Sequence, residues 1–313
     1  MARQPEARVS SLGYGTELFS LPDAAYTLLR DLIVQRTGVL FDAPKRALLA
    51  DKLSELIAAN GLTSFLDYYY LLRYDEAAES HWAALMNRLA VPETYFWRQA
   101  EQIEALASVV APTHFAVSPG RPLRIWSAAA CTGEEPVSIA IALAESGLLH
   151  THPIEIVATD GSRAMIERAK GGLYGERSFR QLPAHLKNKY FEKQGDRHRP
   201  VDFLRRAISW DVANLAQPSE IGRFATADVI FCRNVFIYFS DDAIRNTVGV
   251  FIDRMPFDAY LFLGASESLT RLNVGLELAE ISRAFAYVKP GRRAFVERGR
   301  VPIDVTAAPE AAP

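Results

Sequence analysis

The sequence predicts an α/β fold in which an all-helical domain precedes a doubly wound, mainly parallel sheet. Apolar residues recur three and four apart from residue 24 to residue 107, as they do in amphipathic helices. From residue 122 onward, strand-like runs alternate with helical stretches, which is the pattern of a parallel sheet covered by helices. The alternation stops between residues 171 and 206, and the length of that segment indicates an inserted subdomain.

The composition is that of an ordinary soluble protein and argues against several function classes. With 313 residues, 49% of them hydrophobic, the chain can bury a large core and is long enough for two domains. The formal net charge of -2 gives no general case for binding nucleic acid, and no apolar run approaches the ~20 residues of a membrane span. The two cysteines, Cys131 and Cys232, are too few for a disulfide framework. We expect a cytoplasmic protein without nucleic-acid binding or membrane insertion.

Turn-forming residues divide the helical part, with breaks at Gly38, at Asp42 with Pro44, and at Gly61. A stretch with turn signals then leads into the sheet domain, and the C-terminal tail is low in apolar residues. The expected boundaries are 1–20 for a flexible N-terminus, 21–111 for the helical domain, 112–121 for a linker, 122–290 for the sheet domain with its insert at 171–206, and 291–313 for a disordered tail.

The sheet domain has apolar strand-like runs separated by helices, which we expect at residues 136–147, 162–170 and 241–254. Parallel strands that are buried on both faces end at one edge of the sheet, so polar residues at their carboxyl ends should lie close together. The expected strands are LRIWSAAA, IEIVATD, AISWDVANL, the start of DVIFCRNVFIYF, AYLFLGAS, 276–280 and 284–289.

The first strand runs into the motif ACTGEEP, which places two carboxylates at a helix N-terminus. Phosphate-binding loops leave that end of a helix unblocked or add lysine, and the pattern G-x-G-x-x-G is absent. If Pro136 is the first helical residue, the Glu135 carboxylate is free to face a ligand, which would then carry a cationic group. Alternatively, Thr132 and Glu135 form a capping box that only stabilises the helix.

The second strand ends in Asp160, where nucleotide-binding sheets place an acid that binds ribose hydroxyls. Alternatively, Asp160 caps the helix that begins near Ser162. A ribose, a positive centre and no phosphate together indicate S-adenosylmethionine as the ligand. NAD and ATP fit this combination poorly, because each would place phosphates beside the acids.

Two further segments carry polar residues with a potential role. Arg233, Asn234 and Tyr238 follow the buried start of DVIFCRNVFIYF and should emerge at the ligand-binding edge. Alternatively, the charged residue there merely reaches solvent. The segment VPETYFWRQ ends the helical domain, and its aromatic residues are typical of a packed interdomain seam with Arg98 exposed.

These segments resemble the chemotaxis receptor methyltransferases, the CheR family, from about residue 21 to residue 290. The matches are SAAACTGEEPVSIA, IFCRNVFIYF and ETYFWR, supported by ATD, by NL at 214–215 and by LFLGASESL. The resemblance implies a helical domain followed by a Rossmann-like, S-adenosylmethionine-dependent methyltransferase domain with a small β subdomain at the insert. It also implies methylation of glutamate side chains in the cytoplasmic domains of membrane chemoreceptors, giving γ-glutamyl methyl esters.

The resemblance assigns roles to particular residues and implies no metal. Arg98 and Tyr238 are the residues expected nearest the transferred methyl group. A glutamate acceptor, with a pKa of about 4.3, is ionised at neutral pH and needs no general base. The expected contacts of S-adenosylmethionine are Thr94, Arg98, Glu135, Asp160, Asn214, Leu215, Arg233 and Asn234.

The chain departs from the family pattern at several positions. Pro92 stands where an asparagine is usual, and Val137 stands where a tyrosine is usual. These departures leave two alternatives open, a methyltransferase for another acid or a non-catalytic module that binds S-adenosylmethionine. The turn QGDRHRP of the insert is short, so we expect no binding of a C-terminal peptide tether of the receptor.

Overall fold

The computed structural model describes residues 21–272 and 274–291. The expected flexible N-terminus and all but the first residue of the expected tail lie outside these residues. The chain divides into two compact units. The described part of the first comprises residues 21–32 and 41–88, and that of the second comprises residues 33–40 and 89–291.

The first unit is helical, as the spacing of its apolar residues predicts. Leu49, Leu53 and Ile57 recur every four residues on one helix face and are fully buried. Burying each such side chain contributes about 1.5–3 kcal/mol. Ser64 begins another helix, where its hydroxyl oxygen accepts the N–H of Asp67. The helices in and bordering this unit are α1 (Asp23–Thr37), α2 (Arg46–Ala59), α3 (Phe65–Tyr74) and α4 (Ala78–Leu89).

The second unit contains a seven-stranded sheet with the order β5-β2-β1-β6-β7-β9-β8. Strands β5, β2, β1, β6 and β7 are mutually parallel, and β9 and β8 add an antiparallel edge. This confirms the predicted fold class. The strands are β1 (Leu123–Ala128), β2 (Ile154–Asp160), β5 (Ile208–Val212), β6 (Val229–Cys232), β7 (Tyr260–Phe262), β8 (Glu277–Ile281) and β9 (Ala284–Val288), while β3 (Phe191–Gln194) and β4 (Arg197–Pro200) pair in the insert.

Helices cover both faces of this sheet, and side chains of β1 alternate between two apolar cores. Ile125 belongs to one core, and its neighbours Trp126 and Ala128 belong to the other. The remaining helices are α5 (Ala100–Ala105), α6 (Ala111–Val117), α7 (Glu134–Glu145), α8 (Leu148–Thr151), α9 (Arg163–Gly171), α10 (Ala184–Tyr190), α11 (Asp202–Arg206), α12 (Pro218–Ile221) and α13 (Asp241–Arg254). In the described part of the chain, no helix combines the length and apolar character needed to cross a membrane.

The insert at 171–206 forms a small subdomain of its own. Its strands β3 and β4 are four residues long and antiparallel, and Gly195 adopts φ +63 in the turn between them. A short 3₁₀ helix, Glu176–Phe179, precedes them and carries the buried Phe179. The rings of Phe179 and Phe191 meet edge to face with centroids 4.9 Å apart.

Two boundaries differ from those expected from the sequence. The compact helical unit ends at Arg88, earlier than the expected end at residue 111. The first half of the expected linker is helical, because Ala111 and Phe115 of α6 are four residues apart and both are buried in the larger unit. The segment ETYFWR therefore belongs to the α/β unit.

Candidate functional site

The order of strands in the sheet reverses between β1 and β6, which lie side by side with Ala128 paired to Cys232. The chain leaves β1 toward β2 and β5 on one side, and it leaves β6 toward β7 on the other. In open α/β sheets such a reversal opens a crevice at the carboxyl ends of the strands, where ligands bind. The turns that follow β1 and β6 therefore line the candidate site.

The turn after β1 has an unusual backbone. Ala129, Cys131 and Gly133 have φ values of +59, +51 and +96, a region that costs free energy for residues other than glycine. A Cβ at Gly133 would lie 2.8 Å from the Trp210 ring and 2.9 Å from the Tyr174 hydroxyl. Glycine is required here by both its conformation and its surroundings.

Asp160 at the end of β2 holds this turn in place. One carboxylate oxygen accepts the N–H of Cys131 at 2.9 Å, and the other accepts the N–H of Ser162 at 2.8 Å. The N-cap of α9 is Ser162, whose hydroxyl accepts the N–H of Met165, so Asp160 is not the capping residue. Burial raises the pKa of Asp160, and the two N–H donors oppose that shift.

Glu135 faces the crevice side of the sheet rather than capping its own helix. Its carboxylate accepts a hydrogen bond from Ser127 Oγ at 2.7 Å and one from Arg233 Nε at 2.7 Å. The N-cap of α7 is Gly133, which makes no side-chain capping bond, so the capping-box alternative is wrong. Burial raises the pKa of Glu135, and the Arg233 guanidinium acts in the opposite direction.

Arg233 is the centre of this network, and its side chain is only 2% exposed. Besides Glu135, it donates from Nη1 to Gln102 Oε1 at 3.0 Å and from Nη2 to the carbonyl of Arg98 at 2.7 Å. The alternative in which this charge reaches solvent is therefore wrong. Three of the five guanidinium N–H groups are used in these bonds.

Glu134 is the neighbour of Glu135 but serves another part of the molecule. Its carboxylate accepts the hydroxyls of Thr132 at 2.7 Å and of Ser178, in the insert, at 2.9 Å. It is 3% exposed, and burial raises its pKa. This carboxylate joins the turn after β1 to the insert.

The segment ETYFWR is anchored by Phe96, which is fully buried against the insert. Its ring lies 4.8 Å from the rings of both Tyr174 and Phe191, and its N–H donates to the carbonyl of Ser178. Trp97, the next residue, has φ +65. These aromatic residues pack within the α/β unit, which corrects the expected interdomain seam.

Arg98 follows this anchor and is half-buried rather than exposed. Its Nη1 donates to the carbonyl of Glu93 at 2.8 Å, and its guanidinium carbon lies 5.4 Å from the centre of the Tyr95 ring. Burial raises the pKa of Glu135, and the charge of Arg98 is among the groups that oppose this rise.

Asn214 and Leu215 occupy the loop after β5. Both are buried, and the Asn214 amide donates to the carbonyl of Arg36 at 2.8 Å, while its backbone N–H donates to Glu220. The carbonyl of Leu215 accepts the hydroxyl of Thr247. This loop lies two strands away from β1 along the same edge of the sheet.

The other expected contacts lie in loops beside the strand reversal. Asn234 follows Arg233 with φ +58, and its N–H donates to Glu267 at 2.7 Å. Tyr238 ends a 3₁₀ turn and is half-buried, and its carbonyl accepts the N–H of Leu40. Thr94 is half-buried in the segment before Arg98. The geometry does not test the contacts assigned to these residues, which stay predictions.

Three residues of the site were not assigned a role from the sequence. Ser127 is a polar residue in the buried part of β1, between Trp126 and Ala128, and this position could have identified it. Glu267 lies in LFLGASESL, a segment that supported the resemblance. Gln102 is spaced like an ordinary helix residue, so its link between Arg233 and the carbonyl of Leu263 at 2.8 Å depends on the tertiary fold.

The two cysteines are not reactive nucleophiles in this setting. Burial, together with the charges of Asp160 and Glu134, raises the pKa of the Cys131 thiol to about 12. Burial likewise raises the pKa of Cys232 well above its ordinary value. Both groups therefore stay protonated thiols at neutral pH.

The hydrogen-bond acceptors of the site fit S-adenosylmethionine. Each carboxylate oxygen of Glu135 and Asp160 accepts one hydrogen bond and keeps a second lone pair for an ammonium group or a ribose hydroxyl.

Comparison with known proteins agrees with this geometry. Residues 92–285 match the sequence profile of the CheR methyltransferase, SAM binding domain, and residues 24–90 match that of the CheR methyltransferase, all-alpha domain. The chain is 34% identical over 272 residues to chemotaxis protein methyltransferase 2 of Vibrio cholerae, covering 86% of this chain and 94% of the relative.

Two further relatives widen the comparison. The chemotaxis protein methyltransferase of Escherichia coli is 31% identical over 274 residues, which cover 86% of this chain and 92% of the relative. The probable biofilm formation methyltransferase WspC of Pseudomonas putida is 29% identical over 255 residues, which cover 82% of this chain and 59% of that protein.

Proposed function

The chain belongs to the CheR methyltransferase family, and we propose that it methylates glutamate side chains in the cytoplasmic domains of chemoreceptors. Membership confirms the predicted enzyme class and the predicted cofactor, S-adenosylmethionine. The products are γ-glutamyl methyl esters and S-adenosylhomocysteine. Relatives that are named chemotaxis protein methyltransferases support this assignment.

The observation that carries the proposal is the position of Arg233. Its bonds to Glu135, to Gln102 and to the Arg98 carbonyl fix residues 98–102 against the start of α7. These groups lie where the strand order reverses, which is the part of the sheet that binds ligands. The network therefore supports a shared site for cofactor and acceptor.

The proposed reaction needs alignment more than proton transfer. S-adenosylmethionine supplies a methyl group on a sulfonium, and an ionised acceptor carboxylate can attack it without a general base. Arg98 orients carboxylates through its charge, and the Tyr238 hydroxyl positions the acceptor. Good alignment of two reactants contributes up to roughly 7–11 kcal/mol to lowering a barrier.

We propose the cofactor contacts that the family resemblance implies. Glu135 faces the charged end of S-adenosylmethionine, and Asp160 faces its ribose. The remaining contacts are Thr94, Arg98, Asn214, Leu215, Arg233 and Asn234. Calorimetry with S-adenosylhomocysteine should show binding that Asp160→Ala weakens, and unchanged affinity in that variant would remove Asp160 from the site.

Methyl transfer to receptors is tested directly with purified cytoplasmic receptor fragments and labelled S-adenosylmethionine. We expect incorporation that is released as methanol at alkaline pH, as an ester requires. Cofactor binding without transfer to any receptor fragment, but with transfer to another acid, would replace the receptor by that substrate. Fragments from chemotaxis and from biofilm signalling systems distinguish the two pathways.

Substitutions at Arg98 and Tyr238 test the assigned roles. Arg98→Ala should abolish transfer, because the acceptor carboxylate and the cofactor lose their orienting charge. Tyr238→Phe should lower turnover while it leaves the affinity for S-adenosylhomocysteine nearly unchanged. Full activity in both variants would remove these residues from the reaction.

We further propose that the protein works in the cytoplasm. We also propose that it binds no C-terminal peptide tether of the receptor. The support for the second proposal is the small hairpin of the insert, with four-residue strands and a short turn at Gly195. Calorimetry with peptides from the C-termini of the native receptors should show no binding. Micromolar binding would contradict this part of the proposal.

A further inference from the structure

Glu267 lies in the loop after β7 and accepts an unusual number of backbone hydrogen bonds. One of its oxygens accepts the N–H of Asn234 at 2.7 Å and that of Gly264 at 2.6 Å. The other accepts the N–H of Phe236 at 2.7 Å and that of Ile237 at 3.3 Å. A single carboxylate therefore holds most of the turn that carries Asn234 and Tyr238.

The beginning of the turn needs this support because Asn234 has a left-handed backbone and the 3₁₀ turn starts only at Phe236. Asn234 has φ +58, and its N–H and that of Phe236 point away from the sheet ladder toward Glu267. Hydrogen bonds to an ionised acceptor are roughly twice as strong as neutral ones. Without the carboxylate, these N–H groups would lose their partners.

The approach between the two loops is close. A Cβ at Gly264 would lie 2.5 Å from the Asn234 side-chain nitrogen and 2.7 Å from a Glu267 oxygen. Gly264 does not have a positive φ, so the requirement for glycine is one of space. The sequence GASE thus provides both the carboxylate and the room for it.

The far end of the turn is fixed separately. The carbonyl of Tyr238 accepts the N–H of Leu40 at 2.8 Å, and the N–H of Ser240 donates to the carbonyl of Gly38 at 3.0 Å. Glu267 fixes the beginning of the turn, and the 38–40 segment fixes its end. Tyr238 therefore follows the residues that Glu267 holds and lies within the part that the 38–40 segment holds.

We propose that Glu267 is a positioning residue for methyl transfer, which sets the backbone of Asn234 and the direction of Tyr238 without touching the reacting atoms. This inference rests on the proposed function, because it assumes that these two residues face the cofactor and the acceptor. Displacements of about 1 Å at a reacting centre cost up to ~100-fold in rate.

The substitution Glu267→Gln tests the proposal, because a glutamine offers one oxygen where the carboxylate offers two. In either orientation its NH₂ group faces a pair of backbone N–H donors, so one pair loses its acceptor. Glu277→Gln is the matched control, since Glu277 lies exposed on β8 and loses the same charge.

We expect Glu267→Gln to lower kcat roughly tenfold to hundredfold, with KM for the receptor fragment changed less than about threefold. Amide exchange measured by mass spectrometry should speed up over 234–237 in this variant and not in the control. A kcat within about twofold of wild type would overturn the proposal.

If Glu267→Gln does not fold, Gly264→Ala decides the question, because it separates the same groups by crowding. A folded Gly264→Ala protein with wild-type kcat would also overturn the proposal. Failure of the proposed function is recognised separately, since the wild-type enzyme would then transfer no methyl group to any receptor fragment. In that case the exchange of 234–237 still tests the anchoring role of Glu267.

Discussion

Two networks meet at the start of α7, one on the crevice side around Arg233 and one on the insert side around Glu134. In the first, Glu135 pairs with the Arg233 guanidinium, which also donates to Gln102 and to the Arg98 carbonyl. In the second, Glu134 is held by two hydroxyls and has no hydrogen-bonded cation among the described residues. Adjacent residues of one type thus differ in their hydrogen-bond partners, because Glu135 has a guanidinium and Glu134 has only hydroxyls.

The two surroundings stabilise their carboxylates in different ways. Removing one partner of a buried ion pair leaves an uncompensated charge, whereas a carboxylate among hydroxyls responds by holding its proton more tightly. Substitution in the crevice network should therefore cause a large loss in the free energy of unfolding. The stability that the insert network contributes should instead change gradually with pH. The following predictions test that contrast.

The largest effect is expected for Arg233→Met, which leaves Glu135 buried and unpaired. The free energy of unfolding, measured in urea, should fall by about 3–5 kcal/mol. The double variant with Glu135→Gln should be more stable than the sum of the two single effects implies, because the unpaired charge is gone. Strictly additive effects would mean that the two groups do not interact.

A smaller, pH-dependent effect is expected for Glu134→Gln. Burial raises the pKa of Glu134 in the folded chain. Its contribution to the free energy of unfolding is therefore fully present below the unfolded pKa and is lost as pH rises through the folded pKa. The glutamine variant lacks this loss. Between those two pKa values, its stability relative to wild type should rise by about 1.4 kcal/mol for each pH unit.

Urea titrations from mildly acidic to neutral pH measure that difference. Glu167→Gln is a suitable control, since Glu167 is exposed on α9 and its pairing with Lys170 is a surface contact. A stability difference for Glu134→Gln that does not vary with pH would show that Glu134 is ionised throughout this range.

The next effect in size is that of Ser178→Ala, which removes one hydroxyl donor from Glu134. We expect a loss of about 1 kcal/mol in the free energy of unfolding, the usual net value of one such hydrogen bond. Tyr174 of the insert still donates to the carbonyl of Thr132 at 2.9 Å, so the insert should stay attached. A loss above about 3 kcal/mol would mean that Ser178 alone holds the insert.

The smallest effect is expected for Arg177→Ala on the outer surface of the insert. Arg177 is 81% exposed and pairs with Glu93 at 3.0 Å, a surface contact that contributes about 0–1 kcal/mol. Glu93 keeps Arg180 as a partner at 2.6 Å. Thermal unfolding should shift little, and a large shift would show that surface charges hold the insert in place.

Much of the fold could be predicted because it depends on local periodicity. Helix α13 lies where its apolar spacing placed it, at residues 241–254, and β2 coincides with IEIVATD. Helix α7 begins at Glu134, two residues before the expected start at residue 136. Glu134 and Glu135 therefore lie in its first turn rather than before it. The insert follows no simple period, so the residue pattern predicts only its existence, whereas its β character was implied by the family resemblance.

Apolar spacing and turn residues act over a few positions, so the amino-acid order alone specifies the two-part organisation, the parallel sheet and the residue types at its carboxyl edge. What those residues contact depends on the three-dimensional arrangement. Arg233 binds Glu135, which is 98 residues away in the chain, and the carbonyl of Arg98, which is 135 residues away. Such partners are set by which strands become neighbours, because a buried charge must find its compensating group in space rather than along the chain.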